Sequence, residues 1–287
     1  MSRRPRISFL GPPGTFSDDA LRTAAAGAGF EPAPESSILD ALRAVRCGES
    51  TLALVPFENS TEGSVRPTLD ALAFDVEGIA IIGEYDHPIS LSLIARDEIA
   101  LEAIGEVASH PQAAAQCARF LRAKLPDARV VPASSTAEAV RSLRGDESDG
   151  RAALGAASAA EIYGATVLAE GVEDDSTNLT RFVWIATQGT PRRAGGLWRT
   201  TLIFSELGED HPGALVDALV EFSSRGVNLT RIESRPRRAG LGRYMFFVDL
   251  DGAAGQPGVD ESIHALRSKA DSVRVLGSYP VGGVGLP

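Results

Sequence analysis

Apolar residues follow two rhythms along this chain. Short continuous runs mark buried strands, and apolar positions three to four apart mark amphipathic helices. Residues 6–10 read as a strand entering the turn Gly11-Pro12-Pro13-Gly14. Ser17 can cap a helix through Asp18, Asp19 and Leu21 to about residue 26, and the acidic first turn suits the helix dipole. A second helix spans 37–47, with Ile38, Leu39, Leu42 and Val45 on one face. The unbroken apolar run 51–57 predicts a buried strand. The polar turn Glu58-Asn59-Ser60-Thr61-Glu62-Gly63 follows, then a helix over 64–73. Strand character returns at 79–82 and 89–95, and Pro111 opens a helix to about 125. A short strand at 130–131, a Ser135-capped helix over 136–143, a strand at 152–155, a helix at 157–163 and strands at 166–169 and 179–186 complete this part.

Strand and helix alternate through about Thr187, which predicts open α/β sheets, and the length suits two lobes. Ligands of such sheets sit at the carboxyl ends of strands, where helices begin. Residues 188–196 lack periodicity, hold Gly189, Pro191, Gly195 and Gly196, and read as a linker. The pattern then resets. A strand at 200–204 precedes a helix over 212–225 with Leu215, Ala218, Leu219 and Phe222 on one face. Strands at 227–234 and 244–250, a helix over 260–269 with Ile263 and Leu266 inward, and a strand at 273–278 complete a βαββαβ order, the ferredoxin-like unit. The expectation is an α/β body closing on Thr177-Asn178-Leu179-Thr180-Arg181-Phe182, followed by a separate small domain.

Composition narrows the function classes. The 287 residues are 44% hydrophobic and 23% charged, ordinary for a globular chain, and the formal net charge of -10 argues against a broad nucleic-acid surface. Lys124 and Lys269 are the only lysines; the other cations are arginines, suited to bidentate carboxylate binding. Cys47 and Cys117 make neither a disulfide framework nor a zinc cluster, and a reducing cytosol fits them. No apolar run approaches the roughly 20 residues of a membrane span. The basic start Met1-Ser2-Arg3-Arg4-Pro5-Arg6 is followed by too short an apolar stretch for a signal peptide. The expectation is a cytoplasmic protein with no nucleic-acid or membrane partner.

Three polar segments each lie between a strand and a helix start: Gly14-Thr15-Phe16-Ser17, Glu58-Asn59-Ser60-Thr61 and Ser109-His110-Pro111-Gln112. Free N–H groups at a helix start favour anions, so three such sites on one cleft suit a ligand with more than one carboxylate. In a fourth segment, Thr177, Asn178 and Thr180 flank Arg181, which can hold a carboxylate bidentately. No Gly-x-Gly-x-x-Gly, phosphate loop or Gly-x-Ser-x-Gly is present, and His87, His110, His211 and His264 show no metal-ligand spacing.

The four segments, in this order, resemble the prephenate dehydratase family, through Gly11-Pro12-Pro13-Gly14-Thr15-Phe16-Ser17, Val55-Pro56-Phe57-Glu58-Asn59-Ser60-Thr61-Glu62-Gly63, Ser109-His110-Pro111-Gln112 and Asn178-Leu179-Thr180-Arg181-Phe182. Gly213-Ala214-Leu215 and Asn228-Leu229-Thr230-Arg231-Ile232-Glu233-Ser234-Arg235-Pro236 resemble the ACT regulatory domain. The resemblance implies a two-lobed, periplasmic-binding-protein-like catalytic body over 6–187, a linker over 188–198 and an ACT domain over 199–280. It further implies decarboxylating dehydration of prephenate to phenylpyruvate, without metal or redox cofactor, in phenylalanine biosynthesis.

On that resemblance, Thr180, Arg181 and Phe182 are linked to activity. Arg181 is assigned to a carboxylate and Thr180 to the departing hydroxyl; Glu58 is a second acid candidate if burial raises its pKa. Asn59, Ser60 and Thr15 are positioning groups, and Phe16 and Phe182 shield the cleft. Ser17, Thr61, Ser109, His110, Gln112 and Asn178 complete the expected substrate site. Gly213, Ala214, Leu215, Asn228, Leu229, Glu233 and Ser234 are the expected phenylalanine contacts, in a homodimer or homotetramer. Arogenate as substrate and a non-catalytic ligand receptor are the competing readings.

Overall fold

A computed structural model of the chain describes residues 4–145, 149–191, 196–208, 212–282 and 286–287. Of the sequence expectations, the basic start at 1–3, the middle of the linker at 192–195 and His211 lie outside the described residues.

The first lobe comprises β1 (Arg6–Leu10), α1 (Phe16–Ala24), β2 (Glu31–Glu35), α2 (Ile38–Arg46), β3 (Leu52–Asn59), β4 (Gly63–Ser64), α3 (Arg66–Asp70), a π turn at Ala71–Asp75 and β5 (Ile79–Pro88). The second lobe comprises β6 (Ser92–Ala95), β7 (Glu106–Ser109), α4 (Pro111–Gln116), α5 (Ala118–Lys124), β8 (Arg129–Pro132), α6 (Thr136–Arg141), β9 (Arg151–Gly155), α7 (Ala157–Tyr163) and β10 (Thr166–Ala169). The chain then recrosses, and β11 (Leu179–Thr187) inserts into the first lobe between β5 and β3, antiparallel to both. The last part runs β12 (Trp198–Ser205), α8 (Ala214–Ser223), β13 (Leu229–Pro236), β14 (Tyr244–Asp251), α9 (Pro257–Leu266) and β15 (Ser272–Pro280). Its strand order β13-β14-β12-β15 is ferredoxin-like.

Several local expectations change for physical reasons. Thr15, not Ser17, caps α1: its Oγ1 accepts from the Asp18 amide at 3.4 Å, while Asp18 Oδ2 accepts from the Gly14 amide at 2.9 Å. That reciprocal pair satisfies two donors at the helix start and leaves Ser17 inside the first turn. Strand β2 reads Glu-Pro-Ala-Pro-Glu, and its prolines are tolerated because it pairs only with β1, at the sheet edge. The polar turn after β3 does not enter a helix directly. It closes a short hairpin with β4, and α3 begins at Arg66. The long helix expected from Pro111 breaks at Cys117, whose φ of -112 and ψ of 18 leave the helical region.

The small domain is not separate. One core cluster joins Val55, Phe57, Leu69 and Ile81 of the first lobe to Ile203, Met245, Phe247, Leu276 and Tyr279 of the small domain. Strand β15 also pairs with β5 through Gly277 and Ile81, so one sheet runs from β13 to β2. Glycine is required at 277, because a Cβ there would overlap the Ile81 carbonyl. Among the described residues no helix is long and apolar enough to cross a membrane.

Candidate active site

The two lobes are joined by two crossings that lie side by side. The Ile89 amide donates to the Asn178 carbonyl at 2.9 Å, and the Val172 amide to the Leu91 carbonyl at 2.9 Å. A cleft of about 650 Å³ opens beside these crossings, within the size range of small-molecule sites. The first lobe supplies Thr15, Phe16, Ser17, Asn59, Arg66, Thr180 and Phe182; the second supplies His110, Gln112, Gln116 and Ser134-Ser135-Thr136; Ile89 and Asn178 come from the crossings.

Strands β3 and β11 set the centre. Thr180 pairs with Asn59 in the register. Asn59 Nδ2 donates to Thr180 Oγ1 at 2.9 Å and to Asn178 Oδ1 at 2.7 Å. Asn59 Oδ1 accepts from the amides of Thr61 and Glu62 at 3.0 and 2.9 Å, which fixes the orientation of the amide. The Thr180 oxygen therefore acts as acceptor, and no protein acceptor takes its hydrogen among the described residues. Thr180 is 7% exposed, so this donor sits where water is scarce. The expected effect of Asn59→Ala is a fall in kcat of about tenfold or more together with a lower melting temperature, because the side chain's bonds to Thr180, Asn178, Leu179 and the amides of Thr61 and Glu62 are all lost. Steady-state kinetics and a thermal melt check it.

Around this centre, His110 caps α4 by accepting from the Gln112 amide through Nδ1 at 3.3 Å. The buried Ser17 hydroxyl has no protein partner among the described residues and faces the cleft. Arg66 is the one arginine or lysine among the lining residues, and it makes no ion pair among the described residues. Phe182 is 1% exposed and is backed edge-on by the buried His87 ring.

The other expected site residues stand elsewhere. Side chains alternate across a strand, so Arg181 points away from the face that carries Thr180 and Phe182. It is buried against the small domain, with Nη2 2.6 Å from Glu58 and 2.8 Å from Asp249, and Nη1 3.6 Å from Glu84. Burial opposes its charge, but Asp249, Tyr279, Glu58 and Glu84 outweigh that and raise its pKa. Glu58 faces the same way, paired with Arg181 and Arg231. The expected carboxylate clamp and second acid are thus partners of each other, outside the cleft. Ser60 supports the strand by accepting from the Leu179 amide at 2.9 Å. Thr61 is exposed on the turn. Ser109 is fully buried, donating to the His110 carbonyl at 3.0 Å.

Arg66, Gln116 and Ser134-Ser135-Thr136 were not expected in the site. The last had a legible signal, since it too lies between a strand and a helix start. Arg66 had none, because the sequence places it inside a helix.

In the small domain, Asn228 and Leu229 line a cavity of about 450 Å³ with Val216, Val220 and Ile232. Gly213 starts α8 with φ 96, a left-handed backbone natural to glycine. Ala214 and Leu215 follow it, while Glu233 and Ser234 lie along β13. Helix α8 runs back along β13, so these four lie toward the opposite end from Asn228. One chain does not gather all seven expected contacts.

The cleft, its paired lobes and the appended βαββαβ unit define a two-lobed α/β enzyme with a regulatory-type domain. The prephenate dehydratase family profile matches residues 7–190, and the ACT domain profile matches 200–268. The chain is 41% identical to prephenate dehydratase of Mycolicibacterium vanbaalenii, over 98% of this chain and 92% of the relative. A crystal structure of prephenate dehydratase from Arthrobacter aurescens in complex with L-Phe superposes with a TM-score of 0.87, at 40% identity over 96% of this chain and 89% of that one. GqqA, described as a novel type of quorum quenching acylase, superposes with a TM-score of 0.85 at 29% identity, over 96% and 98% of the two chains. This chain belongs to the prephenate dehydratase family of lyases and carries an ACT domain.

Proposed function

We propose that the chain converts prephenate to phenylpyruvate, carbon dioxide and water, and that phenylalanine bound at the ACT domain restrains it. The observation that carries this is the Thr180 hydroxyl, whose oxygen accepts from Asn59 at 2.9 Å and whose hydrogen is left for a ligand. Prephenate has two carboxylates and a ring hydroxyl. The ring carboxylate leaves as carbon dioxide, its bonding pair aromatises the ring, and the C–O bond breaks. Hydroxide is a poor leaving group, so the departing oxygen must take a proton and leave as water. Thr180 donates a hydrogen bond to that oxygen, strengthened by the Asn59 N–H bonded to its own oxygen, and the proton that completes the water comes from solvent, since a threonine hydroxyl is too weak an acid to give up its own. Arg66, Ser17 and the Gln112 side chain hold the carboxylates, and Phe16 and Phe182 keep the ring dry.

Incubation with prephenate and detection of phenylpyruvate by its absorbance tests the reaction; no phenylpyruvate sinks it. Arogenate in a parallel assay tests the amino analogue. Among the described residues the cleft forms no hydroxyl–histidine pair of the kind that activates an acylase nucleophile; the His110 ring faces the Gln112 amide.

The phenylalanine reading is supported by the ligand in the Arthrobacter relative. Strand β13 ends the sheet, and Val216, Val220 and Ile232 beside it are 62%, 48% and 47% exposed. An apolar edge of this kind suits burial by a second copy, which would bring the two ends of the expected site together. The assembly is a homodimer or homotetramer, and the free cysteines Cys47 and Cys117 fit a reducing cytoplasm. Millimolar phenylalanine lowers activity by about fivefold or more at subsaturating prephenate, the lower end of usual site coupling. Unchanged activity counts against regulation.

A further inference from the structure

Four arginines of the ACT domain grip one short stretch of the first lobe. Arg231 Nη2 donates to Ser64 Oγ at 2.6 Å. Arg235 donates to Asp70 Oδ1 through Nε and Nη2, at 3.2 and 2.6 Å. Arg238 reaches the other Asp70 oxygen at 3.3 Å and lies 4.4 Å over the Phe74 ring. Arg274 donates to the carbonyls of Leu72 and Ala73, the latter at 3.1 Å, inside the π turn. The gripped stretch, 64–74, is the end of β4, all of α3 and most of that turn.

Its front end is cleft wall: Ser64, Val65, Arg66 and Pro67 line the substrate cavity. Its back end is a π turn, a form that recurs at functional sites. Arg231 and Arg235 stand four apart on β13, so both face the first lobe. Glu233 and Ser234, expected to contact the effector, lie between them on the same strand.

We infer that Arg231 and Arg235 are positioning residues for the cleft: they set where the 64–67 wall stands, and a ligand that shifts β13 changes substrate affinity through them. This rests on reading the cleft as the prephenate site. The bond from Arg231 ends on the cleft wall itself. The Arg235–Asp70 pair is mostly buried, with side chains 15% and 26% exposed, so salt screens it less than a surface pair. The wall carries Arg66, assigned to a substrate carboxylate. Its displacement weakens binding more than it disturbs Thr180, which β11 holds by pairing with both β3 and β5.

The test uses the full chain with Asp70→Arg, Arg235→Asp, the double exchange and the milder Asp70→Asn. Each single reversal should raise KM for prephenate by about fivefold or more with kcat within about twofold. Hydrogen exchange over 64–75 should quicken, and the double exchange should restore both readings in large part but not fully, because Arg238, which also pairs with Asp70, then faces an arginine. If a reversal fails to fold, Asp70→Asn carries the test, with a KM increase of about two- to threefold expected for the weakened ion pairs to Arg235 and Arg238. Unchanged KM and exchange in a folded variant overturns the inference, as does a fall in kcat at constant KM. A merely structural clamp would lower the melting temperature without moving KM, and that result also overturns it. A parent that does not turn over prephenate sinks the substrate reading instead, and the exchange data still judge the clamp.

Discussion

Thr180→Ala lowers kcat for prephenate by about 10²–10⁴-fold, the scale of lost acid–base assistance. KM should move little, because the groups assigned to the carboxylates stand on other elements. The hydroxyl of Thr180 is the donor in the cleft whose acceptor side is already occupied, by Asn59. Alanine removes that donor and leaves an Asn59 N–H to the Asn178 and Leu179 oxygens alone. Thr180→Ser keeps the hydroxyl and should retain most of the turnover. The pair separates chemistry from packing: both variants lose the methyl group, and only one loses the donor. Steady-state kinetics with prephenate decide it. Alanine turnover within a few-fold of the parent removes Thr180 from the mechanism.

The sequence carried the cleft's hydrogen-bonding centre because local chemistry set it. Asn59 and Thr180 occupy polar positions at the ends of two apolar runs, and turn amides orient the Asn59 side chain. The α/β alternation and the βαββαβ order were legible for the same reason: each element buries one face at its own period. Strand β2 was hidden by its prolines, which propensity counts against a strand and an edge position tolerates. The roles of Arg181 and Glu58 were misread by treating Thr-Arg-Phe as one patch. Period-two alternation already separates Arg181 from its neighbours, and only the partner face was missing. That face comes from Asp249, about 70 residues later in the chain, in a domain that the aperiodic linker suggested was separate. Long-range packing of this kind leaves no local trace. An arginine beside an active-site threonine looks the same whether it meets a substrate or a buried carboxylate.

Arg181→Ala should destabilise the protein by about 3–5 kcal/mol, the usual cost of breaking a buried ion pair, and lower the melting temperature by roughly 10 °C. Asp249 is fully buried, and without Arg181 it keeps the Thr201 hydroxyl at 2.7 Å and no cation among the described residues. Glu84 keeps Arg199 but loses a second guanidinium. Burial raises the pKa of Glu84 above 4.5, against the lowering pull of Arg199 and Arg181. The folded state therefore holds the Glu84 proton more tightly than the unfolded chain. The stability this gives is full below about pH 4.5 and is lost as pH rises through the folded value. Removing Arg181 moves that value further up, so the deficit of the variant should widen between about pH 5 and pH 8. Thermal unfolding at the two pH values measures it. Arg181→Lys should recover less than half of the loss, since one ammonium cannot span Glu58, Glu84 and Asp249 as a guanidinium does. The result also judges where Arg181 acts. A substrate-binding arginine would raise KM and leave the melting temperature alone, whereas an arginine that joins β11 to the ACT sheet must show itself first in stability.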